Sequence, residues 1–289
     1  MSNSAPTPIK VAPKLFTSRA TLPAMPRPQT FDIDCTLTYE VEDASEFLFQ
    51  IHAQDGMDQE VVSESLVITP TLKPHMFVDP NIGHRFMRLH VDKGPIELRY
   101  QARVVRAVQP VDLSAAEVPI AQIPDEFLHN LNPTRYCESD HLGRVAQKIF
   151  GALPTGHARV QAIVQWIHDN VDYQVGSTQS TTTARDVYLQ RAGVCRDFAH
   201  LGITFCRALN IPARLVVGYA SFVDPPPDFH AVFEAFIGGR WVMFDATMMS
   251  PIDEMVRIAT GGDAKDVAFA TIYGPAKMLS MNPLIHRVD

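Results

Sequence analysis

The chain has few cysteines and little basic excess, and it contains no long apolar run. No apolar stretch among its 289 residues approaches the roughly 20 that a membrane-spanning helix needs, so no membrane partner is expected. The first residues, MSNSAPTPIKVAPK, lack the hydrophobic centre of a secretion signal. The expected location is therefore cytoplasmic. The formal net charge is -7, without the basic patch a nucleic-acid partner would call for. Only four cysteines occur, Cys35, Cys137, Cys195 and Cys206. No two form a C-x-x-C pair, so their spacing suggests no zinc site. Four in so long a chain also make a poor disulfide framework. They read as reduced thiols, of which most behave as small buried hydrophobes. No metal site and no cofactor are implied.

What is present divides into two patterns. Residues 1–29 hold many prolines and little periodicity, and read as a disordered or loosely docked arm. Residues 30–108 hold short apolar-polar runs such as FDIDCTLTYEV, HRFMRLHV and IELRYQARVV, punctuated by Asp-Gly, Asp-Pro-Asn and Lys-Gly-Pro turns. That rhythm predicts an antiparallel β-sandwich. A proline-dotted linker is expected over 109–139, with one helical turn. Residues 140–289 begin with helical patterns. SDHLGRVAQKIF is expected to be capped by Ser139 and closed by Gly151. Val160, Ile163, Val164, Ile167 and Val171 recur at helical spacing. A short helix is expected between Thr183, its cap, and Gly193, its terminator. In RAGVCRDFAHLGITFCRAL, Phe198, Leu201, Phe205 and Leu209 make one apolar stripe. Three strand-like segments follow: ARLVVGYASFV, HAVFEAFIG and RWVMFDAT. Helices followed by a sheet make this half, and the chain as a whole, α+β.

Cys195 falls at the start of the last helix. Unpaired N–H groups and partial positive charge at a helix N-terminus favour a thiolate and can hold an oxyanion. Position alone favours a buried core cysteine over a nucleophile. A thiol nucleophile also needs a base and a group that orients it. His230 opens HAVFEAFIG after a proline loop, and Asp245 closes WVMFD on the return strand. With Gly238–Gly239 as a two-residue hairpin turn, Asp245 stands opposite Val232, on the face that His230 shares. The two side chains can then meet diagonally across the ladder. A structural His–Asp pair would satisfy the same register. The three residues together favour catalysis. Arg196 and Asp197 flank the nucleophile as weak cleft-lining candidates, and Asp197 could also cap the helix. His200 is a weaker second base, five residues along the helix and off the face of Cys195.

The stretch AGVCRDFAHLGITFCRALNIPARLVVGY, together with FHAVFEAFIGGRWVMFDAT and GDAKDVAF, resembles the core of the bacterial transglutaminase-like superfamily. The strand-rich first part is similar to the β-domain that precedes that core. The resemblance implies a papain-like cysteine peptidase or transglutaminase fold, with Cys195 as nucleophile, His230 as base and Asp245 as orienting acid. Animal members use an upstream tryptophan near the oxyanion. Here Trp166 sits by an apolar helix stripe and reads as core, which leaves Tyr173 as a weak oxyanion donor beside the Cys195 N–H. Ala246 stands where many relatives have proline. The implied chemistry is acyl transfer on a peptide or protein amide through a Cys195 thioester, ending in hydrolysis or in transfer to an amine. The alternative is a non-catalytic peptide-binding module with a vestigial triad. The sequence sets no oligomeric state.

Overall fold

The computed structural model describes residues 28–80, 82–222 and 226–289. Most of the expected N-terminal arm and part of the expected proline loop therefore lie outside the described residues. The described part is α+β, with antiparallel sheets and four helices.

Strand β1 (Gln29–Val41) buries every second residue. Phe31, Ile33, Cys35, Leu37, Tyr39 and Val41 point inward because side chains alternate along a strand. Its partner β6 (Gly94–Arg106) does the same with Ile96, Leu98, Tyr100, Ala102 and Val104. On the outer face Asp32 meets Arg103 and Asp34 meets Arg99. Strand β3 (Gln59–Thr69) completes one side of this sheet and is mostly exposed, as an edge strand can be. A second sheet is built from β2 (Ser45–Phe49), β4 (His75–Val78) and β5 (Arg85–Val91). Tyr39 of the first sheet packs on Phe47 and Phe49 of the second, with ring centres 5.3 and 5.9 Å apart. Each such fully buried side chain contributes roughly 1.5–3 kcal/mol.

The sandwich is completed from the other end of the chain. Strand β14 (Ala276–Arg287) pairs along β1, and β13 (Ala270–Tyr273) pairs with β2. Sequence reasoning assigned both segments to the 140–289 unit; their hydrogen-bond ladders lie with the N-terminal sheets. Pro283 is tolerated in β14 because that strand is a sheet edge.

Between the two parts the linker forms two 3₁₀ turns, Ile120–Gln122 and Asp125–Leu131, where one helical turn was expected. The helices follow. α1 (Ser139–Phe150) begins at Ser139 itself. Glu138 occupies the cap position, and Ser139 is buried without a capping hydrogen bond, which corrects the expected cap by one residue. α2 spans His157–Asn170. α3 (Ala184–Gln190) is capped by Thr183, whose hydroxyl accepts from the Asp186 N–H while Asp186 reaches back to the Thr183 N–H. It ends at Arg191 in the left-handed conformation, φ 60°, so Gly193 is not its terminator.

α4 (Cys195–Ala208) is buried nearly all round. It packs on the core sheet, ordered β11–β10–β9–β12, from β9 (Ala213–Tyr219), β10 (His230–Ile237), β11 (Arg240–Phe244) and β12 (Val256–Gly261). The close approach needs Gly202, where an added Cβ would sit 2.5 Å from the Phe233 ring. The β10–β11 hairpin turns at Gly238 and Gly239, both at positive φ, and pairs Phe233 with Phe244. That register is the one expected from a two-residue turn.

Candidate active site

Three elements meet at the start of α4. A two-strand parallel ladder, β7 (Asp172–Tyr173) on β8 (Ala192–Gly193), fixes Tyr173 beside the turn that leads to Cys195. Val194, at the helix cap position, is extended and has no polar side chain to spend on the first N–H groups. Asp197 reaches back instead and accepts from the Val194 N–H at 3.0 Å. Its other contacts are the Thr178 hydroxyl at 2.6 Å and the Arg196 guanidinium at 2.8 Å. Asp197 is only 1% exposed. It braces the helix start and does not line a cleft, because its carboxylate is fully engaged below the surface. Arg196 is half-buried and also donates to the Gln179 carbonyl.

Cys195 is half-buried, whereas Cys35, Cys137 and Cys206 are sealed in the interior. Its sulfur lies 3.9 Å from the Phe229 carbonyl oxygen. The Tyr173 hydroxyl faces both the Cys195 N–H and its sulfur. Burial, then the nearby sulfur, raises the Tyr173 phenol well above its ordinary range, which keeps it a neutral donor.

His230 opens β10 and Asp245 directly follows β11. His230 Nε2 donates to Asp245 Oδ2 at 2.9 Å, with both side chains almost fully buried. Oδ1 of Asp245 accepts from the Thr247 N–H and hydroxyl at 2.8 and 2.7 Å. Burial disfavours the Asp245 carboxylate, but His230 and Thr247 outweigh it and hold the pKa below the usual carboxylate range. Burial likewise opposes a charged His230. The hydrogen bond to Asp245 and the interaction with the Cys195 sulfur win, and raise its pKa to about 10. Nδ1, the nitrogen not used by Asp245, is buried and has no hydrogen bond of good geometry. Phe222 packs on the ring, centres 5.5 Å apart.

The structure therefore brings Cys195, His230, Asp245 and Tyr173 together and leaves Asp197 behind them. His200 is buried against Tyr136, accepts from the Ala264 N–H at 3.2 Å, and has a pKa pushed down to about 3 by burial and then by Arg196. Trp166 packs among Phe150, Tyr188 and Phe205. Sequence reasoning missed the Thr247 brace and the Phe229 carbonyl. The Asp-Ala-Thr run was the available signal for the first, since a threonine two residues past an aspartate can hydrogen-bond it locally. Among the described residues no cluster of three His, Cys, Asp or Glu is placed to hold a metal. Among them, no helix is long and apolar enough to cross a membrane.

Comparison with known proteins gives this arrangement a family. The family model described as the transglutaminase-like superfamily matches residues 143–246, and that of the bacterial transglutaminase N-terminal domain matches residues 29–126. A solved structure from Cytophaga hutchinsonii, described as a candidate cysteine protease, is 42% identical. It superposes with a TM-score of 0.87 over 91% of this chain and 92% of that one. The chain belongs to the transglutaminase-like superfamily. An uncharacterised protein of Mycobacterium leprae is 28% identical over 162 residues, 53% of this chain and 57% of that protein. One of Mycobacterium tuberculosis is 31% identical over 121 residues, 42% of this chain. The matched stretches span 57% and 38% of those two relatives. The family and the Cytophaga neighbour support a cysteine-based enzyme at the level of the superfamily.

Proposed function

We propose that the protein is a cysteine-dependent acyl-transfer enzyme acting on peptide or protein amides, with Cys195 as nucleophile, His230 as acid and base, and Asp245 as the orienting carboxylate. The observation that carries this reading is the buried 2.9 Å contact between His230 Nε2 and Asp245 beside a cysteine at a helix N-terminus. A charged histidine buried to 1% exposure is costly unless a partner repays it. A structural pair would not need a half-buried sulfur next to it.

The chemistry follows from the geometry. Asp245 accepts a hydrogen bond from Nε2–H, so in the neutral ring Nδ1 is the acceptor and can draw the thiol proton. The helix N-terminus favours the resulting thiolate. The sulfur forms a bond to the amide carbon. The carbonyl oxygen gathers charge between the Cys195 N–H and the Tyr173 hydroxyl. Protonated His230 then gives its proton to the departing nitrogen as the C–N bond breaks, leaving a thioester. Water drawn through His230 releases an acid; an amine in its place forms a new amide. The likeness to the Cytophaga candidate cysteine protease supports hydrolysis as the second half-reaction.

The experiment offers a peptide-amide library with and without a labelled primary amine. Hydrolysis predicts released acid and no label in any product. Label incorporation at the expense of acid would overturn the hydrolytic half. Turnover by Cys195→Ala equal to wild type would overturn the whole reading.

A further inference from the structure

One carboxylate beside Cys195 is not used by the chemistry above. Asp228 directly precedes Phe229, whose carbonyl oxygen lies 3.9 Å from the Cys195 sulfur, and stands two residues before His230. Its charge acts on the His230 imidazole and on the Tyr173 hydroxyl. Those two groups both face the sulfur, so Asp228 stands at the mouth where a scissile amide would enter. The side chain is exposed. Even so, the protein around it raises its carboxyl above the usual range by burial, which the Phe229 N–H and then His230 only partly offset. A group that solvent reaches but protein closely surrounds lies in a concave wall.

The other charges at this mouth are matched. Arg196 pairs with Asp197 and donates to the Gln179 carbonyl. Asp245 is buried and held by His230 and Thr247. A Cys195 thiolate and a His230 imidazolium cancel each other. Asp228 has no cationic or side-chain hydrogen-bonding partner among the described residues beyond the charge of His230. It does not orient that ring, because Nε2 is held by Asp245 and Nδ1 is needed for the thiol. Phe222 is half-buried and packs on the same imidazole, ring centres 5.5 Å apart. The mouth therefore offers an unmatched negative charge and an apolar ring. A long cationic side chain, with a charged tip and a methylene stem, complements both.

We propose that Asp228 is the charge-selecting residue of the cysteine site, and that the preferred substrate is an amide with a lysine or arginine side chain beside the scissile bond. The Asp228 carboxylate accepts from the ammonium or guanidinium N–H groups, and the stem lies against Phe222. This inference rests on the acyl-transfer reading for its substrate, but the selectivity itself is a property of the mouth and can be read without turnover.

The test uses the intact protein and three small thiol reagents at pH 7: 2-aminoethyl, 2-sulfonatoethyl and methyl methanethiosulfonate. They carry a positive, a negative and no charge. Modification of Cys195 is mapped by peptide mass, and the buried Cys35, Cys137 and Cys206 serve as controls. Each charged reagent's rate is divided by that of the neutral one, which removes changes in the sulfur's own reactivity, and by the same ratio for free cysteine. The expected result is a preference for the cation that falls about tenfold or more in Asp228→Asn and turns into a preference for the anion in Asp228→Lys. Peptide amides that differ only in lysine or norleucine beside the scissile bond should show the same loss in their ratio of kcat/KM. A cation-to-anion ratio equal in wild type and Asp228→Asn would overturn the proposal, as would a lysine-to-norleucine ratio that Asp228→Asn leaves unchanged. Absence of turnover with every peptide would overturn the acyl-transfer reading instead, and the labelling ratio would still decide the role of Asp228.

Discussion

Replacing Asp245 by asparagine tests the electrostatics of the site in a single substitution. The amide keeps the volume of the carboxylate, and its carbonyl can still accept from the Thr247 N–H and hydroxyl that hold Oδ1. What is lost is the negative charge facing His230 Nε2 at 2.9 Å. In the wild type His230 has its pKa raised from 6.5 to about 10. Between these values the folded protein holds a proton that the unfolded chain has released. Stability therefore falls as pH rises through this window, by roughly 1.4 kcal/mol per pH unit for one proton. The contribution is complete below about pH 6.5 and gone above about pH 10. In Asp245→Asn burial is opposed only by the Cys195 sulfur, so His230 shifts toward its neutral form and the part of the slope that the carboxylate supports disappears. Groups shared by the two proteins cancel in the difference. The assay is urea unfolding of both proteins at half-unit steps from pH 6 to 10. The expected outcome is a stability gap of several kcal/mol at pH 6 that closes toward pH 10. A gap that is constant with pH would show that the aspartate does not hold the imidazolium, and would refute the reasoning.

Three further outcomes are expected. Tyr173→Phe removes the hydroxyl facing the Cys195 N–H; kcat should fall about 10²-fold or more with little change in KM, since one oxyanion donor supplies that much. Gly202→Ala forces a methyl to within 2.5 Å of the Phe233 ring, which overpacking places at about 1–3 kcal/mol of destabilisation, seen as a lower Tm. Asp32→Asn breaks an exposed pair with Arg103 and should change the stability measured by urea unfolding by less than about 1 kcal/mol.

The legible parts of the sequence were those set by local rules. The alternation in FDIDCTLTYEV places β1, and two adjacent glycines at positive φ fix the β10–β11 register. That register puts His230 and Asp245 on one face. Residues 270–287 were opaque because nothing local distinguishes a strand that pairs with β1 across nearly the whole chain from one that stays with its neighbours. ATIY is short, and AKMLSMNPLIHR carries a proline and exposed apolar residues suited to an edge. Asp197 shows a second limit. Its position beside Cys195 suggests a cleft, but only the fold reveals Thr178 and the Val194 N–H already holding its carboxylate. Gly193 likewise looked like a helix terminator, and Arg191 takes the left-handed residue's place two positions earlier.

Whether sulfur, imidazole and carboxylate act as one unit is read from the pH dependence of iodoacetamide alkylation, mapped by peptide mass. Cys35, Cys137 and Cys206, each 0% exposed, are internal controls. Cys195 alone is expected to be modified rapidly at pH 6, and His230→Ala to abolish that reactivity. Modification of Cys195 that is slow at pH 6, rises only as an ordinary thiol ionises, and is unchanged in His230→Ala would contradict it.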